Sequence, residues 1–250
     1  MIRTRTSGPV TTIILDAPQR RNAFDETMLR DLVAAVQAGA ADKGCRCMVV
    51  TGADHTFCAG RNLTDAAERE IGPVLDREGL WEEVFRALHR SSTPSVAIVE
   101  GHAVAGGFTL AMGCDFVIAD EAAVFGSFEM RNGFPASMCT PLLTKLVPPR
   151  VALEWGMLGQ PIPARRLYEQ GLINRLGAGA DELAVVAEEF IGHLTELDPE
   201  AVTMTLEIHR AARNLPLADA LAFGKQQNSL VAASGMLDRA MQRYAAKRGR

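Results

Sequence analysis

The chain has 250 residues, enough for one large or two small domains whose core needs no disulfide or metal to fold. Its 26 lysines and arginines against 30 aspartates and glutamates give a net charge of −4, which excludes a surface that is basic throughout and argues against a nucleic-acid partner. No run approaches the roughly 20 apolar residues of a membrane span, and no apolar signal-peptide core follows Met1. We therefore expect a cytosolic protein without a membrane partner.

The five cysteines are odd in number and mostly stand in apolar or glycine-rich surroundings. This pattern indicates free buried thiols in a reducing compartment. The pair Cys45 and Cys47 has no second Cys or His pair at zinc spacing, so we expect no metal site.

Strands and helices alternate through the first 130 residues or so. Helical spacing of apolar residues after the N-cap Asp25 predicts a first helix. The charged segment 64–93 predicts a second, with breaks at Pro73 and Gly79, and a small-residue helix follows Gly101. Short apolar runs bounded by turn residues predict four strands: 10–15, 47–52, 95–99 and 116–119. The alternation favours an α/β core with crossover connections.

The remainder of the chain is predicted to be almost entirely helical. Asp198 followed by Pro199 is typical of an N-cap and a first helical residue, and further helices are predicted over 217–233 and 237–247. We divide the chain into a core, residues 1–195, and a C-terminal helical region, residues 196–250. That region forms either a separate lobe or a cover over the core.

Two glycine-rich turns, residues 57–63 and 101–108, each follow a predicted strand and precede a helix. A helix N-terminus offers free N–H groups, and glycine lets a ligand approach the backbone. Side by side, the turns could aim two N–H groups at one oxygen, as in an oxyanion hole. The alternative is that both are tight turns with packing glycines. Neither turn matches the phosphate-binding or dinucleotide fingerprints.

Taken in order, six motifs resemble the crotonase, or enoyl-CoA hydratase/isomerase, superfamily. They are Ile13-x-Leu15-x-x-Pro18-x-x-x-Asn22-Ala23, Phe57-Cys58-Ala59-Gly60-Arg61-Asn62-Leu63, Gly101-His102-Ala103, Ala105-Gly106-Gly107, Cys114-Asp115 and Glu169-Gln170-Gly171-Leu172-Ile173-Asn174. The resemblance implies an α/β, crotonase/ClpP-like spiral of ββα units with a C-terminal helical region. It also implies an acyl-CoA substrate, an enolate intermediate, no cofactor beyond the CoA of the substrate, and a homotrimer or dimer of trimers.

The resemblance also implies which residues form the site. The hole donors are the backbone N–H groups of Arg61 and Gly106, and Arg21 reaches the CoA adenine or phosphates unless it is merely a solvated loop residue. Tyr244 and Lys247 match a tail that contacts a CoA phosphate, with a frayed basic terminus as the alternative. His102 is expected to pack inside its turn. The remaining substrate-binding positions are Ala23, Ala59, Gly60, Asn62, Leu63 and Gly107.

The carboxylates decide the reaction. The two-glutamate hydratases resemble this chain at positions 109 and 129, but here the first is Thr109 and only Glu129 is an acid. Burial among Phe125, Phe128 and Phe134 would raise the pKa of Glu129 towards a working pH.

A single base beside the hole suits moving a double bond from a 3-enoyl-CoA to a 2-enoyl-CoA. Hydration of a 2-enoyl-CoA, with a water held by Thr109, is the alternative. Other enolate chemistry, acyl-CoA binding without turnover and RNA binding also stay open.

Overall fold

The computed structural model describes residues 1–62 and 71–248. The strands are β1 (Ile2–Ser7), β2 (Val10–Leu15), β3 (Cys47–Gly52), β4 (Ser95–Val99), β5 (His102–Val104), β6 (Phe116–Asp120), β7 (Val124–Gly126), β8 (Ile162–Pro163) and β9 (Arg175–Gly177). The helices are α1 (Glu26–Ala41), α2 (Ile71–Arg90), α3 (Gly106–Gly113), α4 (Cys139–Leu146), α5 (Pro149–Leu158), α6 (Ala164–Glu169), α7 (Gly179–Glu196), α8 (Pro199–Ala212), α9 (Leu217–Ala233) and α10 (Met236–Arg248). The chain divides into two compact units, Met1–Leu197 and Asp198–Arg250.

The main sheet of the first unit has six strands in the order β1-β2-β3-β4-β6-β9. All neighbours are parallel except β1, which runs antiparallel to β2. The four apolar residues that open β3, from Cys47 to Val50, are all buried, as expected for a parallel strand covered on both faces. One face packs on helices that include α1 and α2, and the other on Leu183 and Ala187 of α7.

A second, three-stranded sheet has the order β5-β7-β8. A parallel bridge between Cys58 and Ala103 joins the segment after β3 to this sheet, and a bridge between Phe24 and Arg61 joins the segment after β2. The chain therefore forms a short extended contact after each of β2, β3 and β4, and the first and third of these lead directly into α1 and α3. The architecture confirms the predicted α/β class, and the bridges bring these short segments next to one another.

The predicted breaks in the second helix are wrong, because α2 runs without interruption from Ile71 to Arg90. The chain is already helical from Ile71, so Pro73 does not interrupt α2. Gly79 costs about 1 kcal/mol relative to alanine but does not end the helix.

The second unit consists of α8, α9 and α10. The Asp198 side chain accepts hydrogen bonds from the N–H groups of Glu200 and Ala201, and Pro199 is the first helical residue, as the sequence predicted. The predicted helix over 217–233 matches the bounds of α9. Within the described part of the chain, no helix is both long and apolar enough to cross a membrane.

Candidate active site

The two glycine-rich turns lie directly against each other. The N–H of Cys58 donates to the His102 carbonyl oxygen at 2.8 Å, and the N–H of Val104 donates to the Cys58 carbonyl oxygen at 3.0 Å. A Cβ at Gly107 would lie 2.2 Å from that same Cys58 oxygen, so this position requires glycine. Gly107 is therefore a packing glycine, and its absent side chain allows the turns to touch.

The backbone N–H groups of Arg61 and Gly106 have no acceptor among the residues that the structure describes. Gly106 is the first residue of α3, so its N–H has no partner within that helix. The preceding Ala105 has φ 50° and ψ −125°, a costly conformation for a residue with a Cβ. The chain thus accepts backbone strain where it turns into α3 and leaves this N–H without an acceptor from the described residues.

Both residues line a cavity of about 720 Å³. The cavity brings together six of the residues predicted to catalyse the reaction or bind the substrate: Arg21, Ala59, Arg61, Gly106, Thr109 and Glu129. A cavity of this size is ample for a small-molecule ligand. The residues that carry the two N–H groups, a carboxylate and a hydroxyl therefore line one cavity.

Glu129 is the second residue of a 3₁₀ turn, Phe128–Asn132, that follows β7. Its Oε2 atom is buried and lacks a hydrogen-bond partner within the described residues. Burial raises the pKa of the Glu129 carboxyl above its usual value of 4.5, while a hydrogen bond from its own backbone N–H opposes the shift. A half-buried carboxylate with an unpaired oxygen is well suited to accept a proton.

Thr109 stands one turn into α3 and is buried. Its hydroxyl donates to the Ala105 carbonyl oxygen at 3.2 Å. Behind it, Cys139 accepts a hydrogen bond from the Ser127 hydroxyl at 3.4 Å. Burial raises the pKa of the Cys139 thiol to about 11, although the neighbouring hydroxyls of Ser127 and Thr109 oppose this. Cys139 therefore remains a thiol at neutral pH and is a poor nucleophile.

Two cavity residues on α2, Glu78 and Trp81, were missed by the sequence analysis. Glu78 pairs with the Arg61 side chain, with 2.7 Å between Oε1 and Nη1. Trp81 is buried, and a Cβ at Gly106 would lie 2.6 Å from its ring. The sequence signal was present, since an acid and the aromatic residue stand three apart on one helix face, but its register against the turns was not readable.

Asn22, which is fully buried, ties this region together. Its Oδ1 accepts from the Ala17 N–H at 2.8 Å. Its Nδ2 donates to the Ala53 oxygen at 2.9 Å and to the Thr56 oxygen at 2.6 Å. The asparagine in the first motif therefore joins the loop after β2 to the loop after β3.

Several expectations need correction. His102 is exposed and lines the cavity, so it does not pack inside its turn; its backbone, not its ring, holds the turn. Phe134 is 40% exposed and shields Glu129 less than expected. The substrate contacts of Ala23, Gly107 and Asn62 remain predictions: the first two residues are buried and are not among the described residues lining the large cavity, and Asn62 lines a smaller one of about 30 Å³.

Three of the expected contacts depend on other parts of the chain. Leu63 lies outside the described residues. Tyr244 and Lys247 belong to α10 in the second unit, where Tyr244 is exposed. Their contact with CoA remains a prediction.

The comparison with known proteins agrees with this architecture. A family model described as enoyl-CoA hydratase/isomerase matches residues 5–250. A Thermus thermophilus protein whose name includes enoyl-CoA hydratase is 32% identical over 250 residues, covering 96% of each chain. The 1,2-epoxyphenylacetyl-CoA isomerase of Escherichia coli is 31% identical over 190 residues, covering 74% of this chain and 72% of the other.

The crystal structure of "Enoyl-CoA Hydrates Subunit I" from Geobacillus kaustophilus is 31% identical and superposes with a TM-score of 0.91, covering 98% of this chain and 95% of that one. The fold is thus that of the crotonases, as the motifs predicted. The chain belongs to the enoyl-CoA hydratase/isomerase family of enzymes.

Proposed function

We propose that this enzyme moves the double bond of a 3-enoyl-CoA to give the 2-enoyl-CoA. The observation that carries the proposal is that, among the described residues lining the cavity, one carboxylate stands without an ion-pair partner. Among the described residues that line the cavity, the carboxylates are Glu78 and Glu129, and Glu78 is paired with Arg61. Glu129, which has a raised pKa and an oxygen with no partner among the described residues, is left to act on the substrate.

The steps follow from this arrangement. The Glu129 carboxylate removes a proton from C2 of the 3-enoyl thioester, and the electron pair moves onto the thioester oxygen to form a dienolate. The N–H groups of Arg61 and Gly106 stabilise that oxyanion. The protonated Glu129 then returns the proton to C4, which leaves the double bond between C2 and C3. A carboxyl with a raised pKa serves both as base and as acid.

Hydration of a 2-enoyl-CoA is the second candidate, and two observations favour it. Thr109 lines the cavity together with Glu129, so its hydroxyl could hold a water. The Thermus thermophilus relative also carries the hydratase name. Against this, Thr109 cannot titrate near neutral pH, and its hydroxyl is already bonded to the Ala105 oxygen.

The deciding experiment offers the enzyme a short 3-enoyl-CoA and a short 2-enoyl-CoA in deuterated water. Chromatography separates the double-bond isomers, and mass spectrometry reports added water and deuterium. We expect conversion of the 3-enoyl substrate by the wild type. The variant Glu129→Gln should lose it by about 10²–10⁴-fold, the usual contribution of general acid–base catalysis. Glu121→Gln is the matched control, because Glu121 is exposed and paired with Arg165.

Two outcomes would overturn the proposal. Isomerisation that survives in Glu129→Gln would show that Glu129 is not the base. Binding of CoA thioesters without turnover of either substrate would show that the protein does not catalyse this reaction.

Thr109→Val separates the two candidates, because it removes the hydroxyl at nearly constant volume. The Ala105 oxygen keeps its bond from the Thr109 N–H at 3.1 Å, so the fold is expected to tolerate the change. Isomerisation should persist in this variant. A hydrated product from the wild type that disappears in Thr109→Val, with no isomerisation in either, would assign the chain to the hydratases.

A homotrimer or dimer of trimers, and CoA contacts from Arg21, Tyr244 and Lys247, belong to the same proposal. Of the three, Arg21 lines the described cavity. Arg21→Ala is expected to raise KM for the CoA thioester with little change in kcat, since it would remove ground-state binding. Sedimentation of the purified protein would test the assembly.

A further inference from the structure

Two side chains of α2, one turn apart, contact Arg61 and Gly106, the two residues whose N–H groups have no acceptor in the described part of the chain. Glu78 pairs with Arg61, with 2.7 Å between Oε1 and Nη1. Trp81 lies against Gly106, where an added Cβ would come within 2.6 Å of its ring. Residues three apart share one face of a helix. A single face of α2 therefore reaches both sides of the proposed oxyanion hole.

Phe24 adds a second link between Trp81 and Arg61. Its N–H donates to the Gly60 oxygen at 2.7 Å, and its own oxygen accepts from the Asn62 N–H at 2.8 Å. The Arg61 backbone is thus held on both sides by the same residue. The Phe24 ring packs edge-on against Trp81, with ring centroids 5.0 Å apart. Trp81 is therefore linked to Arg61, through Phe24, as well as packed against Gly106.

The ion pair between Arg61 and Glu78 has little value as a stabilising contact. Both side chains are more than a third exposed, and such pairs contribute little to folding because solvent screens them. Geometry is a different matter, because small displacements of catalytic groups cost far more in rate than in stability. The ion pair links α2 to Arg61, and we expect this link to fix the direction in which the Arg61 N–H points.

We propose that Glu78 is a positioning residue: through its ion pair with Arg61, and together with Trp81 on Gly106, it makes α2 the brace that aims both hole N–H groups. The inference rests on the proposed function, because it takes Arg61 and Gly106 as the donors. It deepens that function by assigning a role to the side chain of Arg61, whose backbone alone does the chemistry.

In a competing interpretation, the same residues only form a wall between two cavities. Arg61, Glu78 and Trp81 line both the large cavity and the neighbouring cavity of about 30 Å³. If they only divide these spaces, shortening Glu78 would change which acyl chains fit. It would then alter KM and chain-length preference while kcat stayed the same.

The test compares Glu78→Ala, Glu78→Gln and a control on the same helix, Glu82→Ala. Glu82 is exposed and pairs with Arg86 instead. Kinetics with the 3-enoyl-CoA are joined by the infrared stretch of a ¹³C-labelled thioester carbonyl in bound butyryl-CoA, which reports hole strength without turnover. Thermal unfolding shows whether a variant loses activity because it is less stable or because the hole N–H groups are misplaced in a folded protein.

We expect Glu78→Ala to lower kcat by about tenfold, with KM nearly unchanged. The bound carbonyl stretch should move back towards its value in solution. Glu78→Gln, which keeps an acceptor at the same reach, should recover most of both, and Glu82→Ala should behave as the wild type. In an Arg61→Ala background, Glu78→Ala should have no further effect, because the two changes break one contact.

The results that overturn the inference are distinct from those that overturn the proposed function. If the wild type is active and Glu78→Ala changes neither kcat nor the carbonyl stretch, the positioning role of Glu78 is wrong while the proposed function stands. A change confined to KM or chain length assigns Glu78 to the wall. If the wild type shows neither turnover nor a shifted carbonyl stretch, the oxyanion hole is wrong, and the positioning role of Glu78 is wrong with it.

Discussion

Gly60 lies so close to the backbone nitrogen of Gly106 that position 60 has no room for a side chain. A Cβ at position 60 would lie 2.8 Å from that nitrogen and 2.8 Å from the Ala105 Cβ. Gly60 also has φ +88°, which disfavours any side chain. The two donors of the proposed hole are therefore separated by a residue that must be glycine for two independent reasons.

Gly60→Ala is expected to push the two turns apart and misplace both donors. Loss of one such donor typically costs 10²–10³-fold in kcat, so at least about 10²-fold is expected here, measured as double-bond isomerisation. Gly192→Ala is the control, because a Cβ there meets nothing within 4 Å and the helix should gain stability. Full activity of Gly60→Ala would show that these turns do not form the hole.

The pH dependence of the reaction should report the environment of Glu129. Burial raises the pKa of this carboxyl above 4.5, and the base must be ionised to take a proton. The rate constant kcat/KM should therefore rise with pH through a midpoint above 4.5 and then level off. Measurement from about pH 4 to 8 covers this range. A midpoint at or below the ordinary glutamate value would contradict a buried base.

The same carboxyl should cost the protein stability. Its pKa is higher in the folded state than in the unfolded chain, so its contribution favours folding below the unfolded pKa and is lost as the pH rises through the folded pKa. At neutral pH the ionised Glu129 is therefore a burden that Glu129→Gln removes. Urea unfolding should give Glu129→Gln the higher free energy of unfolding at pH 7, with the advantage vanishing in acid. A less stable variant at pH 7 would mean that the carboxylate has a partner.

The regular elements were predictable because their patterns are local. The β-branched run at 10–15 and the apolar run at 47–52 coincide with β2 and β3. β1 was missed because Ile2–Ser7 is a polar edge strand, with five of six residues exposed. The strands β5, β7, β8 and β9 are two or three residues long, too short to carry any period.

The site was predictable only where a motif names the residue. Arg61, Gly106, Thr109 and Glu129 were found in this way and do line one cavity. Trp81 was not, because its contact with Gly106 joins residues 25 positions apart and depends on how α2 docks. The exposure of His102 was misjudged for a related reason, since its backbone is held by Cys58 while its ring is not.

Asn22 is the residue whose loss should most damage the fold around the site. Asn22→Ala would leave the buried N–H of Ala17 and the half-buried oxygens of Ala53 and Thr56 without their side-chain partner. Each buried group without a partner costs about 1–3 kcal/mol. Relaxation of the loops should hold the total to roughly 2–4 kcal/mol, within the range for a broken buried network.

Urea denaturation of Asn22→Ala measures this loss directly. The control is Asn214→Ala, which removes an exposed side chain whose amide bonds only the Arg210 oxygen at 3.3 Å; surface changes of that kind usually stay within about 0.5 kcal/mol. Asn22→Asp should be almost as harmful as Asn22→Ala, because a carboxylate accepts from Ala17 but cannot donate to two carbonyl oxygens. If Asn22→Ala unfolds at the same urea concentration as the control, the loops on either side of the turn are held by other contacts.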